Sequence, residues 1–502
     1  MQIAQKNLVN FYILFAFFWL YAIMFDSELI HVTDGLGFDG LKFWKLTAEY
    51  QFSDSNEWTA YYLKRSVPSF TLRFGIGFCN KILVFLGFPV IIYDVKSIIE
   101  AFKVLNIACL LVSAWLILSL LDIFMSSTWQ KKSLAIACLL LNFGSLKMPF
   151  FCPVLTDSYA LLLGTLLLYT YLHKQHFLLI LISFLGYFTF PPLPFMSILL
   201  ILFPYQYENK NNIIIPNFIL KNQNLLQYSA AFIVSIVLGS FVFYIFSGQN
   251  TNQYIVNGIN APNNNLLYLS MFCLLMYMFW LVKYLFLPDL VYKAIFVVYK
   301  RWWVLLLSVA IFLGMSAWID HVSNGQIVLN VQKEIPLLIF FSVQNPLIFL
   351  IAHVSYLGIF VFFIIFNYQT VIQKSIDLGL GYYAILVASL LFSIQPESRK
   401  LTPLLPFFIL AVMFALEKYQ FGNFAYVLMF FLQVFISKIW YPIYQEPIEN
   451  YQEILKFPWQ HYFMNVGPWM SNEAYYIKLI CFLIILGIFY FLLKFSKRQI
   501  NS

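Results

Sequence analysis

Charged residues are scarce in this sequence: they make up 10% of its 502 residues, whereas 62% are hydrophobic. A water-soluble domain carries about 25% charged residues, so this chain lacks the polar surface that a soluble fold requires. Backbone amides inside a bilayer must be satisfied within the protein, and the long apolar runs lack the hairpin signals of a barrel. The composition predicts an all-α, polytopic transmembrane helical bundle: a multi-pass integral membrane protein in contact with lipid.

Several chemical signatures are also missing. The six cysteines show no CxxC and no paired spacing, so we expect neither a disulfide framework nor a metal site. The sequence contains no HExxH, Walker, GxSxG or kinase motif. It therefore lacks the residues that metalloproteases, NTPases and serine hydrolases require for catalysis. The net charge of +8 does not indicate a nucleic-acid partner, because basic residues in the short loops of a membrane protein report its topology.

Apolar runs long enough to cross a bilayer predict about 12–14 helices in a single domain, residues 1–502. The first run has no cleavage site after it, which favours a retained helix over a signal peptide. Residues 67–93 are ambiguous, and we interpret them as a re-entrant or interfacial helix. The predicted helices are 8–25, 98–121, 133–147, 155–172, 177–190, 193–204, 227–247, 266–287, 302–318, 346–367, 380–394, 401–416, 421–437 and 475–493.

In this topology both chain ends lie on the same side of the membrane, and basic residues are in excess on that side. The positive-inside rule therefore places the two ends in the cytoplasm. Four polar features then fall outside: a loop at 26–68, a turn that ends at Asp157, a turn at 395–400 and a late loop at 437–474. We expect them to meet at one surface.

The loop at 26–68 is the most polar stretch, and the segment 25–68 holds seven of the 22 carboxylates. DGLGFDG places Asp34 and Asp39 on a glycine-rich turn, and LKFWKLTAEY then reads as a short amphipathic helix in the membrane interface. A carboxylate there is placed to deprotonate an acceptor hydroxyl or to hold a divalent cation. Helix capping or an Asx-turn is the alternative role. The residues expected to anchor the helix are Leu41, Trp44, Leu46 and Ala48.

Cations follow in YYLKRSVP, where Lys64 and Arg65 precede a proline, and Arg73 lies eight residues beyond. Such cations can bind a lipid phosphate or serve as snorkelling anchors. Asp157 opens the apolar run after PVLT. It is either a structural acid at a helix N-terminus or part of the site lining.

The turn QPESRK holds Glu397, Arg399 and Lys400 close to the bilayer, where an arginine can bind a phosphate. The alternative is a charged turn that only marks the membrane interface. In the late loop, Trp459 and His461 are the best candidates to contact a sugar, although most aromatic residues there fit an interfacial belt. Two other histidines are weaker: His31 lies in the first loop, and we expect His353 to face the interior with a hydrogen bond.

These motifs, in this order, resemble a GT-C-type integral membrane glycosyltransferase. FDGLKFWKLTAEY, YYLKRSVP, PVLTDSYALLLG and ESRKLTPLLPF are similar to successive outer segments of that family, although SRK and WKL depart from its usual residues. The resemblance implies transfer of a sugar from a polyprenyl-phosphate carrier to a glycan, lipid or protein acceptor, on the periplasmic face of a bacterial inner membrane. It implies Asp39 as base or metal-holding acid, Arg65 and Arg399 as phosphate ligands and Asp157 as a lining acid.

The implied reaction is a single inverting displacement; no cofactor is certain, and a divalent cation stays open. Three other functions stay open with it. A transporter or flippase of lipid-linked saccharides would carry charges deep in its helices or paired broken helices. A polysaccharide polymerase or ligase would share the donor but carry an arginine-rich late loop, and residues 437–474 contain no arginine. A non-catalytic assembly factor is the third.

Overall fold

The structure is a computed structural model that describes residues 2–30, 32–37, 39–49, 59–125, 128–205, 213, 215–247, 263–323, 331–437, 443–444, 460–461, 467 and 470–496. The described residues are helical apart from turns and one parallel pairing of two-residue strands, β1 (Ile443–Tyr444) and β2 (Gln460–His461). The all-helical prediction is confirmed.

Where the sequence analysis treated the chain as one domain, the structure distinguishes two compact units. Unit 1 consists of Met1–Ile198, Leu306–Leu329 and Thr402–Pro406. Its helices are α1 (Gln2–Met24), α2 (Gly40–Glu49), α3 (Thr59–Leu63), α4 (Val67–Phe85), α5 (Val95–Phe124), α6 (Trp129–Leu140), α7 (Met148–Phe151), α8 (Asp157–Leu172), α9 (His176–Tyr187) and the start of α10 (Pro192–Leu202).

Unit 2 consists of Leu199–Leu305, Asn330–Leu401 and Phe407–Ser502. Its helices are α11 (Asn217–Lys221), α12 (Gln223–Ser247), α13 (Leu267–Leu285), α14 (Pro288–Lys300), α16 (Val331–Ser342), α17 (Ile348–Leu357), α18 (Phe360–Asp377), α19 (Leu380–Phe392), α21 (Asn423–Ile436) and α22 (Asn472–Phe495). Two helices belong to both units: α15 (Trp302–Val322) passes from unit 2 into unit 1, and α20 (Leu405–Ala415) begins in unit 1 and continues in unit 2.

Among the described residues, seven helices are long and apolar enough to cross a membrane, or nine if each of two bent helix pairs counts as one span. Four further apolar helices have 10–17 residues, shorter than a full span, as the sequence analysis allowed for some of its 12–14 helices. The 19 residues of α4, within the ambiguous stretch, are not among the seven. These helices support a multi-pass membrane protein.

The 30-residue helix α5 is the centre of unit 1 and packs against α1, α2, α4, α6, α7 and α8. A buried ion pair strengthens one end of this core. The Lys132 ammonium lies 2.5 Å from the Asp122 carboxylate and also donates to the Asn10 side chain at 3.0 Å. A buried charge is costly unless it is paired, so these contacts fix α1, α5 and α6 together.

Two helices that the sequence predicted as continuous are broken. The predicted helix 133–147 bends by 71° between α6 and a π-helical turn at Phe143–Lys147. Asn142 stabilises the break, because its side chain accepts from the N–H of Ser145 and donates to the carbonyls of Cys138 and Leu139. The prediction was wrong because one side chain here replaces helical backbone hydrogen bonds.

The predicted helix 346–367 is likewise two helices, α17 and α18, bent by 114°. Gly358 joins them with φ of 91°, and a Cβ there would overlap the Gln433 amide. That amide accepts from the Ile359 N–H at 2.8 Å and donates to the Leu357 carbonyl at 3.2 Å. The side chain of α21 thus satisfies backbone groups that the break exposes.

Candidate active site

A left-handed turn precedes α2 and carries the first predicted acid. Thr33 and Asp34 have φ of 53° and 54°, and Gly35 and Gly37 have φ of 92° and 77°. Asp tolerates this conformation, whereas a β-branched Thr is strained in it. The N–H of Gly37 donates to the Val32 carbonyl at 2.9 Å and closes the turn. Asp34 is exposed there, and within the described residues no hydrogen bond joins it to Asp39.

Asp39 lies directly before α2, and two phenols hold its half-buried carboxylate. Tyr61 donates to Oδ2 at 3.1 Å, and Tyr62 donates to Oδ1 at 3.4 Å. The Tyr62 ring in turn packs edge-on against Phe43 of α2, with 5.6 Å between ring centroids. With both oxygens engaged, the carboxylate has a fixed orientation, which is what a general base requires.

Arg65 joins the same cluster through Tyr61. Its guanidinium lies over the Tyr61 ring, 3.6 Å from the centroid, in a cation–π contact. Stacking uses the face of the guanidinium, whereas its N–H donors lie in the plane of the group and suit a phosphate. Tyr61 therefore contacts the carboxylate with its hydroxyl and the guanidinium with its ring.

Tyr62 is a permanent donor in this cluster. Burial raises the pKa of Tyr62 to about 12, and the charge of Asp39 acts in the same direction, while Arg65 opposes both. A phenol with this pKa keeps its proton at physiological pH. Tyr62 therefore orients Asp39 and does not compete with it as a base.

A carboxylate that the sequence analysis did not identify lies close to Lys64. Burial lowers the pKa of Lys64, and the Asp320 carboxylate opposes this shift. The preceding residues explain the proximity, since Ile319 of α15 and Leu63 of α3 are buried in one apolar cluster. Asp320 thus balances the charge of Lys64 beside Arg65.

The first loop packs against the turn that leads to Asp157. The Ile30 N–H donates to the Phe151 carbonyl at 2.9 Å. A Cβ on Gly40 would come within 2.6 Å of Val154, so α2 begins in close contact with this turn. Two of the four polar features predicted to meet are therefore adjacent in unit 1.

Asp157 is the first residue of α8 and is buried, with 5% of its surface exposed. The preceding Thr156 stands at the N-cap, but its side chain makes no capping hydrogen bond. Two residues later, the Tyr159 hydroxyl lies 3.1 Å from the Thr71 hydroxyl and ties α8 to α4. The acid is therefore rigidly held beside the first loop, at a helix end that favours negative charge.

Arg73 has a structural role rather than the phosphate-binding or snorkelling role considered from the sequence. Its Nη1 donates to the carbonyls of Thr47 at 3.2 Å and Ala48 at 2.7 Å, and its guanidinium lies 3.9 Å from the Tyr93 ring centroid. The last carbonyls of a helix lack partners within that helix, so Arg73 caps α2.

The helix α2 has the predicted amphipathic character, but its apolar face contacts protein. Phe43 and Leu46 are buried, and α2 packs against α4 and α5. Of the predicted membrane anchors, Leu46 is buried in this contact, and Leu41, Trp44 and Ala48 are half-buried. The interfacial placement of α2 stays a prediction.

The turn predicted to receive a phosphate lies in unit 2 and forms its own charge cluster. Glu397 Oε2 lies 2.9 Å from the Lys400 ammonium, and Oε1 lies 3.8 Å from Arg399 Nε. The Gln395 amide donates to the same carboxylate at 3.4 Å. One acid faces two cations, so the cluster retains positive charge, which suits an anionic ligand.

The structure describes two of the three histidines that the sequence analysis considered. His353 is buried and hydrogen-bonded, as expected, with 3% of its surface exposed. His461 lies in β2, opposite Tyr444. His31 and Trp459 lie outside the described residues.

Tyr61, Tyr62 and Asp320 are the site residues that sequence reasoning missed. The two tyrosines stand directly before LKR, and this pairing of phenols with cations was the available signal. Asp320 had none, because it lies near the end of a long apolar helix far along the chain.

Neither the potential metal ligands nor the comparisons with known proteins assign a further role to this site. Over the described ranges, no group of three or more His, Cys, Asp or Glu side chains is close enough to hold a metal ion. No protein-family model, characterised protein or solved structure matches the chain.

Proposed function

We propose that this protein is a GT-C-type membrane glycosyltransferase that moves a sugar from a polyprenyl-phosphate donor to a glycan, lipid or protein acceptor. One observation carries the proposal: Asp39 and Arg65 share Tyr61, so an oriented base and a phosphate-binding cation belong to one cluster. Inverting transfer from a phosphate-linked sugar needs these two groups. The proposed location is a bacterial inner membrane, with the site on the periplasmic face.

The reaction is a direct displacement at the anomeric carbon. Asp39 removes the proton of the acceptor hydroxyl, whose oxygen forms a bond to the anomeric carbon from the side opposite the phosphate. The bond from that carbon to the phosphate oxygen breaks, and the polyprenyl phosphate leaves with the electron pair. Arg65 stabilises the departing phosphate, and the carboxylic acid of Asp39 returns its proton to solvent.

The remaining predicted residues have supporting roles in this proposal. Lys64 adds positive charge beside Arg65, Asp157 lines the site and Asp34 supports Asp39 from the exposed turn. Within unit 2, Arg399 is proposed to bind a phosphate, with Glu397 setting its charge balance. Trp459 and His461 are proposed to contact the sugar.

Substitution of Asp39 by Asn tests the base directly. The amide preserves the shape of the side chain but cannot accept a proton, so sugar transfer should fall by about 10²–10⁴-fold. The assay incubates membranes with several radiolabelled polyprenyl-phosphate sugars and measures donor consumption. Asp377→Asn, at an exposed acid of α18, is the matched control and should leave transfer unchanged. Wild-type turnover by Asp39→Asn at equal abundance would remove the proposed base.

A transporter or flippase of lipid-linked saccharides is the second candidate, favoured by the two bent helix pairs with angles of 71° and 114°. Broken helices form substrate sites in many transporters. Proteoliposomes separate the two functions. Movement of a lipid-linked saccharide between leaflets, without release of polyprenyl phosphate, would favour transport.

A further inference from the structure

The segment between α19 and the turn of Glu397 is attached to three other helices by buried hydrogen bonds. Tyr277 of α13 lies 2.9 Å from the Ser393 hydroxyl, and Ser342 of α16 donates to the Ile394 carbonyl at 2.7 Å. The third helix, α17, contributes His353, whose ring bonds both ends of this segment.

The two ring nitrogens of His353 have different partners. Nε2 lies 2.7 Å from the Ser393 carbonyl, and Nδ1 lies 2.9 Å from the Ser398 hydroxyl. A carbonyl oxygen only accepts, so Nε2 carries the proton of the neutral imidazole. Nδ1 is then the acceptor, and Ser398 donates to it. This contact is shorter than the 3.4 Å between the Ser398 hydroxyl and the Pro396 carbonyl.

Ser398 stands between Glu397 and Arg399, so its position sets the backbone from which both charged side chains project. Ser398 is buried, whereas the side chains of Glu397 and Arg399 are 31% and 25% exposed. A charged turn without an internal anchor would sample several conformations, since long side chains lose rotamer entropy when they are fixed.

We propose that His353 is a positioning residue: through Ser398, its neutral ring fixes the turn that presents Arg399, paired with Glu397, to an anionic ligand. The identity of that ligand as a lipid phosphate rests on the proposed function, whereas the fixing of the turn does not. The two hydrogen bonds of the ring have different roles, because only the bond from Ser398 reaches the charged turn.

Two substitutions at position 353 separate those bonds. In Asn, the amide lies near the place of Nδ1 and can accept from Ser398; in Gln, it lies near the place of Nε2 and can donate to the Ser393 carbonyl. His353→Gln should therefore lose the Ser398 bond that His353→Asn keeps. Ser398→Ala removes the same bond from the other side. Ser389→Ala is its matched control, because the buried Ser389 hydroxyl bonds Ile385 within its own helix.

Limited trypsin digestion of the full chain in nanodiscs measures the turn without any ligand. Cleavage after Arg399 and Lys400 reports how often the turn opens, relative to cleavage after the exposed Lys174 in unit 1. His353→Gln and Ser398→Ala should raise this ratio about five-fold, the effect of one lost hydrogen bond. His353→Asn and Ser389→Ala should leave it near the wild-type value. Equal ratios in all variants, or an equal rise in Asn and Gln, would overturn the role of the Ser398 bond.

Retention of radiolabelled decaprenyl phosphate by the same variants tests the ligand. His353→Gln and Ser398→Ala should weaken binding about five-fold, and His353→Asn should not. If the turn opens as expected while wild-type protein retains no decaprenyl phosphate, the positioning role stands and the lipid-phosphate assignment is overturned. If the wild type binds and the variants bind equally well, His353 does not position a ligand-binding group.

Discussion

Tyr61 is the residue on which the proposed chemistry converges, because its hydroxyl and its ring face have different partners. The hydroxyl orients Asp39, and the ring supports Arg65. A single side chain therefore links the proposed base to the proposed phosphate ligand.

Substitutions of Tyr61 should separate these contacts. Tyr61→Phe removes the hydrogen bond to Asp39 but keeps the ring beneath Arg65, so kcat should fall several-fold with little change in the donor KM. Tyr61→Leu also removes the cation–π contact, worth about 0.5–1 kcal/mol when exposed, and should raise the donor KM as well. Steady-state transfer assays measure both constants. An equal rise in donor KM for Phe and Leu would contradict the role of the ring.

Under the proposed function, Lys64 should make donor binding sensitive to alkaline pH. Burial lowers the pKa of Lys64 from its ordinary value of 10.5, so the ammonium loses its charge at a lower pH than a surface lysine. Phosphate binding needs the charged form and should weaken as pH rises through this lowered pKa. In Lys64→Arg the charge persists, so the donor KM should stay flat from about pH 7 to about pH 10.

The matched control for this pH dependence is Lys81→Arg, at an exposed lysine of α4, which should keep the wild-type profile. Asp320→Asn removes the charge that opposes the shift and should move the loss of binding to lower pH. A wild-type profile in Lys64→Arg would exclude Lys64 from the donor site.

The sequence predicted Asp39, Lys64 and Arg65 as members of the site, but neither the phenols between them nor Asp320. Asp39 stands in a glycine-rich acidic turn and Arg65 in a basic dipeptide, and both patterns are local. The hydrogen bond from Tyr61 to Asp39 joins residues 22 positions apart, so it becomes visible only once α2 and α3 are folded together. Arg73 was misread for the same reason, because its partners are carbonyls at the end of another helix.

At the scale of the element, α2 depends on its C-terminal cap. Arg73→Gln removes the charged donor to the carbonyls of Thr47 and Ala48 and should destabilise α2 by about 1–2 kcal/mol. Thermal unfolding in detergent should show a lower Tm than Lys81→Gln, which changes an exposed lysine on the same helix α4. Equal Tm values for the two variants would show that the cap contributes little.

Helices with an unbroken apolar run were predictable, and two other helices of more than ten residues were missed. α14 carries Asp289, Lys293 and Lys300, whose charges interrupt the apolar pattern. α16 contains Pro336 inside the helix, a residue that usually ends one. Burial in unit 2 overrides these local signals.

For the whole molecule, composition was sufficient to predict a multi-pass helical membrane protein. The side of the membrane on which each turn lies can be tested by labelling cysteines. We expect Asp34→Cys and Lys400→Cys to react with a membrane-impermeant thiol reagent from outside intact cells. Lys374→Cys, near the end of α18, should react only after permeabilisation. The native Cys79 is exposed and must be replaced first. Labelling of positions 34 and 400 from different sides would exclude a common site.

The division into two compact units was not visible in the sequence, because no polar linker or change of composition marks it. The chain passes between the units at several places, among them the short segment Thr402–Pro406, which belongs to unit 1 although its neighbours on both sides belong to unit 2. Within unit 1, a Cβ on Gly164 of α8 would overlap the Pro403 carbonyl. A contact this close leaves room only for glycine.

The break between α17 and α18 has an evolutionary consequence. The Gln433 amide occupies the space that a side chain at position 358 would need, and it also replaces the missing helical partners of Leu357 and Ile359. In related sequences, positions 358 and 433 should therefore covary: glycine should accompany glutamine, and a larger residue at 358 should appear only where 433 is short and the two helices have merged into one.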